Sequence, residues 1–99
     1  MLNHVILVEL KEGVTDAQAD AALEGYAALQ AVIPEIRACT VGRDAGLNPN
    51  AADMALITKF NSVEDFASYR EHPAHVAFGR DVLLPISEKR TLIQFFSED

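Results

Sequence analysis

The densest chemistry in the sequence lies in the run Tyr-Arg-Glu-His-Pro-Ala-His-Val-Ala-Phe, from Tyr69 to Phe78. It holds two of the chain's three histidines, His72 and His75, and one of its two tyrosines, Tyr69. Pro73 disfavours helical geometry at His72, fixes its own φ and suits the first position of a new helix. His72 is therefore predicted to precede and cap a helix, with His75 in its first turn. Free backbone N–H groups make that end positive and disfavour an imidazolium. A neutral histidine near neutral pH is a general base. His75 is the candidate base, and Tyr69 or Tyr26 the candidate donor. Abstraction of a proton beside a ketone needs both, because the enolate oxygen that forms must be stabilised.

Other chemistry-bearing residues read more plainly. His4 shares a strand face with Ile6 and Val8, and Tyr26 falls on the apolar stripe of a helix. By themselves these are core side chains whose polar atoms find partners. His72, His75 and the adjacent Glu71 form a partial metal-ligand set. No third ligand is fixed by spacing, so a metal is not expected. The lone Cys39, in a strand-like run, excludes an internal disulfide and reads as a small buried residue.

The elements that must position these residues follow from pattern. Residues 2–10 alternate as a strand, with Leu2, His4, Ile6, Val8 and Leu10 on one face and Val5 and Leu7 on the other. Thr15-Asp16-Ala17-Gln18 has the form of a capping box and opens a helix to about Val32. Ala22, Tyr26, Leu29 and Ile33 make its stripe, while Asp16, Asp20 and Glu24 make a solvated acidic face. A second strand is predicted over Ile36–Arg43, a loop over Asp44–Ala52 and a third strand over Met54–Phe60. That loop could serve as a mouth or lid, which its composition alone does not show. Ser62 caps a short helix to about Glu71. The Pro73 helix extends to about Leu84, where Pro85 ends or kinks it. The last strand covers Lys89–Phe96, with Thr91, Ile93 and Phe95 on one face and Leu92 and Phe96 on the other.

This β-α-β-β-α-β order predicts one α+β, ferredoxin-like domain over residues 1–99, with a four-stranded antiparallel sheet. Helices cover one face of such a sheet, yet these strands are apolar on both. A second copy of the chain is the economical cover, so a homodimer through the open sheet face is predicted, closing as a dimeric α+β barrel. Net charge is −7, with 49% apolar and 23% charged residues. The acidic balance argues against a nucleic-acid partner, which requires clustered Lys and Arg. No apolar run approaches the roughly 20 residues of a membrane span, and the N-terminal residues lack a signal-peptide layout. A cytoplasmic protein with no membrane partner is the expectation.

The chain also resembles the stress-responsive dimeric α/β-barrel (Dabb) family along nearly all its length. The matching segments are His4-Val5-Ile6-Leu7, Ile33-Pro34-Glu35-Ile36, Asp53-Met54-Ala55-Leu56, Phe60 to Tyr69, and His72-Pro73-Ala74-His75-Val76-Ala77-Phe78. The last is the most specific. Within that family the chain is similar to a plant polyketide cyclase that closes a linear tetraketide by aldol condensation without a cofactor. The resemblance implies His75 as base and Tyr69 as its partner, with His4 and Tyr26 lining the substrate pocket for a small apolar carbonyl compound. Met54 and the stretch around Arg80, Asp81 and Pro85 depart from that relative and bear on the substrate. The same fold class also contains non-catalytic stress-associated dimers and monooxygenases, which stand as alternatives.

Overall fold

The computed structural model describes residues 1–99. Strand β1 (Leu2–Leu10) is followed by helix α1 (Asp16–Val32), strands β2 (Ala38–Arg43) and β3 (Met54–Phe60), helix α2 (Val63–Glu71) and helix α3 (Pro73–Phe78). A π-helical turn over Gly79–Leu83 and a short helix α4 (Leu84–Ile86) lead into β4 (Ser87–Phe96).

Local signals explain most boundaries. Gly13 turns the chain after β1 with φ +87°, which a side chain would strain. The capping box then starts α1. Thr15 Oγ1 accepts from the Gln18 backbone N–H at 3.1 Å, and Gln18 Oε1 accepts from the Thr15 N–H at 2.8 Å. Ser62 Oγ accepts from the Asp65 N–H at 3.1 Å and starts α2. His72 ends α2 and caps α3 in extended geometry, as the residue before a proline should.

The sheet is antiparallel throughout, in the order β2-β3-β1-β4. Alternation along β1 turns Leu2, His4, Ile6 and Val8 towards the helices, where all four are buried. Tyr26, Leu29 and Ile33 of the first helical segment, Leu56 and Phe60 of β3, Tyr69 of α2 and Phe78 of α3 complete the core. Gly25 lets α1 approach α3 closely: a Cβ there would stand 3.3 Å from the Phe78 ring.

Several expectations are corrected. The sheet does not close into a barrel. It is open, with β2 and β4 as its edges, because covering an apolar sheet face does not pair the edge strands, which barrel closure requires. β2 begins at Ala38 rather than Ile36, since Pro34 and Glu35 form a turn and Ile36 serves as a buried anchor. The long helix from Pro73 is interrupted by the π-helical turn, where the Leu84 N–H bonds Gly79 O, five residues back. Pro85 falls inside α4, and β4 begins two residues early. Cys39 is half-buried rather than enclosed. The acidic face of α1 is exposed as expected, but Arg43 reaches across from β2 to Asp16 (3.1 Å) and Asp20 (3.2 Å). No helix is long and apolar enough to cross a membrane.

Candidate functional site

Between the sheet and the α2–α3 segment lies a cavity of about 300 Å³. β1 contributes His4 and Ile6, α2 contributes Phe66, Tyr69 and Arg70, and α3 contributes His75 and Phe78. Gly79 and Leu83 of the π-helical turn, with Arg90, Leu92 and Gln94 of β4, complete the lining. The break at Pro73 has a geometric consequence. It ends α2 just after Tyr69 and restarts the helix just before His75, so the two rings meet with centroids 4.3 Å apart. His4 approaches Tyr69 from the sheet, at 5.8 Å. Tyr69 thus stands between the two histidines.

Each histidine of the cavity has one ring nitrogen occupied, and they are used in opposite senses. His75 Nδ1 is 3.1 Å from the Arg70 carbonyl oxygen. A carbonyl only accepts, so Nδ1 carries the proton and Nε2 keeps the lone pair in the neutral ring. The Gln94 amide is oriented with its nitrogen towards His4 Nδ1, at 2.9 Å. That nitrogen donates, so His4 carries its proton on Nε2. One neutral imidazole therefore has a free acceptor and the other a free donor.

Both rings are held neutral. His4 is lowered from 6.5 to about 4, first by burial and then by the nearby His75 and Arg70. His75 is also lowered, chiefly by burial, against the opposing pull of its bond to the Arg70 carbonyl. Burial and the adjacent Tyr26 push the Tyr69 hydroxyl far above its ordinary value, so it stays protonated.

Tyr26 does not line the cavity. Its hydroxyl is 2.8 Å from that of Tyr69 and 3.0 Å from Thr58 Oγ1, forming a buried chain of three hydroxyls. It stands one hydrogen bond behind the wall. Thr58, fully buried on β3, was not singled out from sequence; a lone polar residue among alternating apolar ones was its only signal. Gln94 was missed as well, because its role depends on β1–β4 pairing across 90 residues of chain. His72 is occupied as a cap: its Nδ1 accepts from the Ala74 N–H at 3.1 Å. The structure groups no three His, Cys, Asp or Glu side chains that could hold a metal ion. No residue of the Asp44–Ala52 loop lines this cavity. Part of it borders a separate hollow of about 230 Å³ with Leu7, Met54 and Ala55, and no histidine or tyrosine lines that hollow.

An open antiparallel sheet, helices on one face and a histidine–tyrosine cavity between them define a ferredoxin-like α+β protein with a small-molecule-sized site. Residues 2–97 match the stress responsive A/B barrel domain, and the chain belongs to that family. Olivetolic acid cyclase of Cannabis sativa is 30% identical over 96 residues, covering 95% of this chain and 94% of the cyclase. The stress-response A/B barrel domain-containing protein HS1 of Arabidopsis thaliana is 33% identical over 79 residues, 78% of this chain and 72% of its own length. Among solved structures, a dimeric ferredoxin-like protein of unknown function from Thermobifida fusca superposes with a TM-score of 0.88 at 27% identity, over 97% of this chain and 90% of that one.

Proposed function

We propose that this chain forms a homodimer through the open face of its sheet, and that its cavity performs proton transfer on a small, largely apolar carbonyl compound. The reaction is of the aldol-cyclisation or isomerisation kind. The observation that carries this reading is the pair of neutral imidazoles with opposite free nitrogens on one cavity. Likeness to a cyclase over 94% of that enzyme's length supports it. The dimer is supported by the dimeric relative from Thermobifida fusca and by Leu7, Ile93 and Phe95, exposed apolar residues on the helix-free face.

The steps follow from the protons. His75 Nε2 takes a proton from the carbon next to a ketone, and the electron pair moves to the ketone oxygen as an enolate. His4 Nε2–H and the Tyr69 hydroxyl donate hydrogen bonds to that oxygen, in a site where burial strengthens them. The enolate carbon attacks a second carbonyl of the same molecule, forming the ring bond. The new alkoxide then recovers the proton from His75. Tyr26 and Thr58 hold the Tyr69 hydroxyl in place and do not touch the ligand.

The test is a panel of linear β-polyketones assayed with the wild type and His75→Ala. Loss of the base should lower kcat by about 10²- to 10⁴-fold for any compound the wild type turns over. An unchanged rate removes His75 as base. One observation favours a second reading, a non-catalytic ligand-binding dimer: a bond to a backbone carbonyl is also what a structural histidine makes. Binding of panel members by the wild type without turnover of any would select that reading.

A further inference from the structure

The cavity wall reverses the sign of the molecule. Net charge is −7, yet the charged residues of the lining are Arg70 and Arg90, with no carboxylate. The ion pairs of the structure engage Arg43 and Arg80, and neither Arg70 nor Arg90 forms one. The two arginines come from different walls. Arg70 belongs to α2, with its guanidinium carbon 5.3 Å from the centre of the Phe66 ring. Arg90 belongs to β4, opposite Val8, in the same row as Leu92 and Gln94. Ile6, Phe78, Leu83 and Leu92 supply apolar lining.

Resting on the reading of this cavity as a ligand site, we propose that its ligand is a carboxylate-bearing carbonyl compound, whose carboxylate is held by Arg70 and Arg90 and whose chain lies along the apolar lining. A guanidinium presents a planar fork that matches a carboxylate with two parallel hydrogen bonds. Two unpaired forks on one small cavity leave a charge that a neutral ligand would not use. A carboxylate is also the anion that a carbonyl chain carries at its own end, in line with groups that His75 and His4 would act on. Arg70 contributes to keeping both histidines neutral, and the bound carboxylate would offset that influence.

The experiment compares octanoate with octanamide, equal in length and differing in charge, by calorimetric titration of the wild type, Arg70→Gln, Arg90→Gln and Arg90→Lys. Backbone amide shifts of His4, Tyr69 and His75 report whether binding is in the cavity. Octanoate is expected to bind at least about tenfold more tightly than octanamide. Added salt should narrow the gap. Each Gln variant should lose most of the preference, and Arg90→Lys should keep part of it. Equal affinities with shifts in the cavity would overturn the carboxylate while leaving the ligand site standing. A preference for octanoate that survives both Gln substitutions would overturn it too. Absence of cavity shifts with either compound would overturn both the carboxylate and the ligand site.

Discussion

At the scale of the residue, His4 and His75 differ in what their neighbours leave free. The same imidazole is an acceptor where a carbonyl occupies Nδ1 and a donor where an amide nitrogen does. His4 carries a consequence for stability. Its value of about 4 in the folded protein lies below the ordinary 6.5, so between those values the unfolded chain binds more protons. The His4 contribution is complete above pH 6.5 and is lost progressively as pH falls to about 4. The window corresponds to roughly 3 kcal/mol. Denaturant melts at pH 7 and pH 4.5 should show this loss in the wild type and much less of it in His4→Gln. Equal pH dependence of the two proteins would contradict the assignment. The capping role of His72 was legible from its place before Pro73. The bond from His75 to Arg70 O was not, because nothing in the spacing says which carbonyl a ring will meet across a helix break.

Elements bring these residues together, and they divide into legible and illegible parts for physical reasons. The Thr15 box, the Ser62 cap and the strand Met54–Phe60 are local, set by side chains within a few residues. Pairings such as Gln94 with His4 and Arg43 with Asp16 depend on strand neighbours far apart in sequence. The contact between α1 and α3 yields a prediction. Gly25→Ala should gain up to about 1 kcal/mol of helix propensity, while its Cβ presses the Phe78 ring at 3.3 Å. Phe78 is a cavity wall and can yield into that space. The variant should therefore melt no lower than the wild type yet bind cavity ligands more weakly. A lower melting temperature with unchanged binding would show that Phe78 cannot move.

For the whole molecule, the two faces of the sheet serve different ends. On one face the helices bury β1 and β3 but leave Leu92 and Phe96 of β4 exposed; the other leaves Leu7, Ile93 and Phe95 to solvent in a single chain. Two-sided apolarity was readable from alternation in β1 and β4. The barrel drawn from it was not correct, because apolar faces indicate that something covers the sheet without closing its edges. Ile93→Arg would place an unpaired charge in the proposed interface, at a penalty on the order of 3 kcal/mol. Sedimentation should then show a shift from dimer to monomer with the circular dichroism retained. A wild-type monomer, or a variant that stays dimeric, would remove this face as the interface.

The central claim is that one cavity offers a neutral base and a neutral donor from two histidines in opposite tautomers. Nitrogen NMR of the imidazole rings tests it without knowledge of the substrate. At pH 7 the account predicts His75 protonated on Nδ1 alone and His4 on Nε2 alone, with both acquiring charge only below pH 6.5. A charged His75 at pH 7, or a neutral one with its proton on Nε2, would contradict it.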